Sequence, residues 1–239
     1  MRVDPGGYAP TMLERLKTSC SDRRLAVLGA LALLSLFTLV TIGVRVAYTG
    51  TGEHLGIAWN LVLAWIPLLL ALLVYDRARA GAAPSKLLAL GALWLVFFPN
   101  APYIVTDLKH LSGTASVPVW YDVVLLTSAA WTGLVLGFLS LYLIQAVVRR
   151  SLGPSLAWAF VAVTLVLSSL GIYIGRFLRL NSWDVVVQPQ NLLAGVARGI
   201  ADPAAHPRAV TVTILFTAFL AATYLVFYAF AYASALVRD

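Results

Sequence analysis

The sequence predicts an all-α integral membrane protein: a bundle of about six transmembrane helices with the N-terminus and C-terminus cytoplasmic. Three observations predict it. The 239 residues are 61% hydrophobic and only 11% charged, with a mean hydropathy of +0.88, which leaves too little polar surface for a soluble domain. Six stretches stay apolar over the ~20 residues that a rise of ~1.5 Å per residue needs to cross about 30 Å of hydrocarbon. Lys and Arg divide unevenly between the two sets of connections, as the positive-inside bias requires.

The spans fall near 25–48, 56–75, 87–105, 123–148, 155–178 and 209–237. All should be helical, because open strands cannot satisfy their backbone groups in lipid and the alternation of a barrel strand is absent. With the N-terminus inside, eleven basic residues are cytoplasmic: Arg2, Arg15, Lys17, Arg23, Arg24, Arg77, Arg79, Lys86, Arg149, Arg150 and Arg238. Six lie outside or near the outer end of a span: Arg45, Lys109, Arg176, Arg179, Arg198 and Arg208. The location expected is a bacterial cytoplasmic membrane. The formal charge of +7 then reflects topology and contact with anionic lipid, not nucleic acid, since no water-exposed module carries a basic face.

Residues 1–24 read as a basic cytoplasmic segment, and 25–239 as a single transmembrane domain. Thr11 and Glu14 have capping-box spacing and should open a short interfacial helix through Arg15 and Lys17. The first apolar stretch is too long for a cleavable signal, and no small-x-small site follows it. The lone Cys20 excludes an internal disulfide and a cysteine metal cluster. Gly133 with Gly137, and Gly171 with Gly175, put small residues one turn apart and permit close backbone approach. In the long connection 179–208, apolar residues at 192, 193, 196 and 200 have the spacing of an amphipathic helix, broken afterwards by Pro203 and Pro207. No internal repeat stands out, so the inverted-repeat signature of many transporters is missing.

Polar residues gather at the outer ends of the spans in three strings. In the first, Pro99 and Pro102 should break or kink the third span, with Asn100 in the break and carbonyls freed as ligands. Just beyond, Asp107 and His110 are three residues apart and share a helical face. Such a pair suits acid–base work or a divalent metal, though two ligands at this spacing are a weak signal of a metal site. In the second string, Trp120 and Tyr121 suit an interfacial belt, and Asp122 is placed to cap the fourth span. The third string sets Arg176 and Arg179 one turn apart, followed by Asn181, Trp183 and Asp184. Two guanidinium forks on one face match a phosphate or carboxylate; equally, they could pair with Asp107, Asp122 and Asp184 to pin helix ends. Arg45, Glu53, His54 and Asn60 lie at the same depth, whereas the inner halves hold almost nothing ionisable.

These strings are also where the chain resembles a known family. Phe98-Pro99-Asn100-Ala101-Pro102-Tyr103 with Thr106-Asp107-Leu108 and His110-Leu111, Trp120-Tyr121-Asp122, and Gly171-Ile172-Tyr173 with Gly175-Arg176-Phe177 and Asn181-Ser182-Trp183-Asp184 resemble a bacterial family of polytopic membrane proteins, domain of unknown function 1361. The resemblance covers roughly residue 55 to the C-terminus. It implies a multispanning membrane protein and carries no activity.

Three function classes follow. The favoured one is binding: Arg176, Arg179, Asn100, Tyr103, Asn181 and Asp184 hold a lipid headgroup, an anionic envelope substrate or lipid-linked ligand, or a partner protein. The second is an enzyme on such a substrate with Asp107, His110 and Asp122 as acid and base. The third, a transporter, needs a polar route through the whole membrane, which a cup open on one side does not supply. No P-loop, dinucleotide fingerprint, G-x-S-x-G or H-E-x-x-H string is present. The sequence names no cofactor or metal and leaves the oligomeric state open.

Overall fold

The structure is a computed structural model that describes residues 12–111, 117–178 and 207–236. Six helices in it are long and apolar enough to cross a membrane, and no strand forms among the described residues. They are α1 (Met12–Thr49), α2 (Leu55–Arg79), a third span made of α3 (Pro84–Phe97), the short α4 (Asn100–Tyr103) and a 3-10 turn (Ile104–His110), then α5 (Val119–Leu152), α6 (Pro154–Tyr173) running into a π-helical turn (Ile174–Leu178), and α7 (Pro207–Leu236). Each coincides with an expected span to within a few residues, apart from the starts of α1 and α5. The basic helix expected to lie ahead of the first span is continuous with it, because no Pro or Gly interrupts the chain between Met12 and Leu28. The expected helix at 191–200 lies outside the described residues.

Punctuation residues set the ends. Pro84 and Pro154 open α3 and α6 at first-turn positions, where the missing N–H costs nothing. Gly153, at φ +91°, makes the entire connection between α5 and α6, a left-handed conformation that other residues rarely adopt. The antiparallel pair is therefore held tightly end to end.

Helix α5 is the most buried span and packs against α1, α2, the third span and α6. One core lies between α1, α2 and α5, with Ile42, Leu61, Leu68, Leu125 and Leu136 closed from the surface. The other joins the third span, α5, α6 and α7 through Trp94, Phe98, Phe138, Leu165 and Tyr224. Two hydrogen bonds satisfy polar atoms within that apolar packing: Tyr224 Oη donates to Gln145 Oε1 at 2.6 Å, and Trp94 Nε1 to Ser140 Oγ at 3.3 Å. Leu36, Val40 and Val44 on α1 and Ile214, Leu215 and Val226 on α7 face outward, as lipid-facing side chains must.

The third span is kinked rather than severed. Phe98 and Pro99 keep right-handed helical dihedrals, but Ala101 N–H bonds to Phe98 O at 3.2 Å instead of reaching Phe97 O. Asn100 Nδ2 donates to Phe97 O at 3.0 Å. The carbonyls at 97 and 98, expected to be open as ligands, are thus consumed locally, as buried backbone groups generally are. The glycines explain how the kink is seated. A Cβ at Gly133 would stand 2.4 Å from Ala101 O, and one at Gly171 2.9 Å from Pro99 Cγ. Bare backbone on α5 and α6 accepts the kink from both sides.

Candidate functional site

The kink and the 3-10 turn after it deliver Asp107 to the polar end of the bundle, buried at 4% exposure. Both its oxygens are taken. Asn60 of α2 donates Nδ2 to Oδ2 at 2.8 Å, and Arg176 donates Nη1 to Oδ1 at 3.2 Å. Arg176 sits in the π-helical turn that ends α6, a wide turn found often at functional sites. Its Nη1 also reaches Tyr103 Oη at 3.3 Å, its Nη2 donates to Thr106 O at 2.8 Å, and its guanidinium lies 5.6 Å from the centre of the Tyr103 ring. Thr106 Oγ1 in turn donates to Tyr103 O at 2.7 Å. The guanidinium is therefore oriented by two nitrogens, while its Nε is buried and has no partner.

A second ion pair stands beside the first. Arg45, one turn before the end of α1, donates Nε to Asp122 Oδ1 at 2.7 Å and Nη2 to Oδ2 at 3.2 Å, a two-pronged contact that matches the guanidinium fork. Both side chains are 2% exposed. Glu53 approaches Arg45 Nη1 at 3.7 Å from the loop above. The capping role expected of Asp122 is not the one it has. Helix α5 starts at Val119 behind Pro118, with no side-chain cap, so Asp122 is already inside the first turn and its carboxylate turns to α1. Next to it, Tyr121 Oη donates to Thr41 O at 2.7 Å, a second tie between α5 and α1, while Trp120 is exposed.

Between the two pairs lie two imidazoles. His54 is 4% exposed, neither ring nitrogen has a hydrogen-bond partner, and burial first, then the charge of Arg45, hold its pKa below the ordinary value. His110 is exposed at the end of the 3-10 turn, and its ring centre is 6.4 Å from that of His54. The acid–base or metal pair expected of Asp107 and His110 thus has its carboxylate committed to Asn60 and Arg176 and its imidazole beside another imidazole. Arg45, Arg176 and Lys109 against Asp107, Asp122 and Glu53 leave the described cluster with no net charge.

Of the residues the sequence singles out, Tyr103, Asp107, His110, Asp122 and Arg176 come together at this end, and Asn100 sits in the kink beneath it. Arg179, Asn181 and Asp184 lie outside the described residues. Arg45, Glu53, His54 and Asn60, marked in the sequence only by their depth, supply half of the observed contacts. The only sequence signal for Asn60 and Arg45 is a polar side chain inside an apolar span.

A family model described as "Protein of unknown function (DUF1361)" matches residues 59–223. The matched stretch contains Asn60, Tyr103, Asp107, His110, Asp122 and Arg176, while Arg45, Glu53 and His54 precede it. No curated protein and no solved structure matches the chain.

Proposed function

We infer, for a chain that belongs to the DUF1361 family, that this multispanning membrane protein uses its polar end as an extracytoplasmic binding site for an oxygen-rich anionic group: a lipid headgroup, or the equivalent group of an envelope substrate. The excess of Lys and Arg at the opposite end supports the orientation, with both termini in the cytoplasm of a bacterial cell. One observation carries the binding reading. Arg176 has two nitrogens locked by Asp107, Tyr103 and Thr106 and a buried Nε–H with no acceptor. A buried donor left unpaired costs about 1–3 kcal/mol, and a phosphate or carboxylate oxygen would relieve it. Because the surrounding charges nearly cancel, such a ligand is held by directed hydrogen bonds more than by bulk attraction.

Native mass spectrometry of the gently extracted protein tests this, with wild type beside Arg176→Lys and Arg24→Ala, a change at the far end. A specific adduct should be present in wild type and Arg24→Ala and lost in Arg176→Lys, and its mass separates a lipid from a soluble anion. Identical nonspecific lipid in all three, with Arg176→Lys melting earlier, would make the arginine a structural pin. The enzyme alternative is less well supported, because both Asp107 oxygens are occupied. Its signature would be Asp107→Asn losing turnover with an unchanged melting temperature.

A further inference from the structure

We propose that His54 and His110 form a site for a borderline divalent transition-metal ion of the Zn2+, Cu2+ and Ni2+ class, separate from the anion-binding arginine. His54 supplies the first reason. Buried polar groups nearly always have partners, yet this imidazole is 4% exposed with both nitrogens unpartnered. His110 supplies the second, with a ring centre 6.4 Å away and an exposed side chain. Two imidazoles on one ion have ring centres about 5–6 Å apart, given metal–nitrogen bonds of ~2.0–2.1 Å, and the observed 6.4 Å is close to that spacing.

The electrostatics allow it. The neighbouring charges are Arg45 on α1, Glu53 in the loop, Asp122 on α5, Asp107 and Lys109 on the 3-10 turn, and Arg176 beyond α6. Arg45 is already engaged by Asp122 and Glu53, and Arg176 by Asp107. Imidazole nitrogen selects zinc, copper or nickel over magnesium or calcium, which prefer oxygen. Among the described residues no third His, Cys, Asp or Glu completes a metal-binding group, so those residues leave the remaining coordination positions to water or an incoming ligand. That is the open arrangement of an exchangeable site.

The test uses tag-free, full-length protein stripped with a chelator, in a Cys20→Ser background, with Zn2+ titrated against a chromophoric competitor. Wild type should bind one Zn2+ per chain. His54→Gln and His110→Gln should each weaken binding about tenfold or more, and the double variant should abolish it. With Cu2+, electron paramagnetic resonance should show coupling to two nitrogens in wild type and one in each single variant. His110→Gln, an exposed change, keeps the test valid if His54→Gln fails to fold. Equal Zn2+ binding by wild type and the double variant, or none by wild type, overturns the proposal.

Discussion

Arg45 and Asp122 hold each other through both ends of the guanidinium fork, and neither side chain is more than 2% exposed. A pair in that setting is asymmetric in its energetics, because removing one partner strands the other charge. Asp122→Asn should lower stability by about 3–5 kcal/mol, read as an earlier thermal transition in detergent. The double change Arg45→Met with Asp122→Leu should cost less than the sum of the two single changes, since no charge is then left alone. A double-mutant cycle with no coupling would mean that the pair is not formed in the membrane protein as it stands. At this scale the sequence was only partly legible. Arg176 was visible as an arginine at the end of a span and Asp107 as one of three carboxylates it could pair with, but the two lie 69 residues apart, and no local pattern picks Asp107 from the three. His54 was marked only by its depth, because a histidine in a short loop becomes unusual only once its burial is known.

Helices were far easier to read, since hydropathy over ~20 residues reports burial in lipid directly. The start of α5 was misjudged because the polar Trp120-Tyr121-Asp122 looked like a cap, whereas Pro118 in an extended conformation opens the helix before them. The kink in the third span was legible from Pro99 and Pro102. What receives the kink was not, because a GxxxG spacing says that something approaches closely without saying what. Paired substitutions separate the two kinds of glycine. Gly133→Ala, whose Cβ would meet Ala101 O at 2.4 Å, should destabilise by about 1–3 kcal/mol. Gly91→Ala on α3, with nothing within 4 Å of the new carbon, should be neutral or stabilising by up to ~1 kcal/mol. Comparable melting temperatures for both variants would remove the seat that Gly133 is held to provide.

For the molecule as a whole, orientation decides which compartment the site faces. In a Cys20→Ser background, Lys109→Cys should react in intact cells with a membrane-impermeant maleimide, and Lys86→Cys only after permeabilisation. Both are exposed positions at opposite ends of the third span. The reverse pattern would put the polar cluster in the cytoplasm and withdraw every extracytoplasmic ligand. The class of the molecule was legible from composition alone, and its orientation rests on eleven basic residues against six. That polar residues of α1, α2, the third span, α5 and α6 share one end was legible from the order of the spans; which of them touch was not, because that depends on which helices are neighbours.

The two ion pairs that tie down α1 also follow a timetable. Arg24 meets Asp76 on α2 at 2.9 Å, only 52 residues later in the chain. Arg45 must wait for Asp122, 77 residues on, which at a synthesis rate of 5–20 residues per second is roughly 4–15 s. The first helix is therefore clasped at its basic end while the guanidinium at its polar end has only the more distant Glu53, 3.7 Å away, as a counter-charge. The two-pronged contact with Asp122 becomes available only once the fourth span has been made, so the partners of α1 are supplied at one end of the helix before the other.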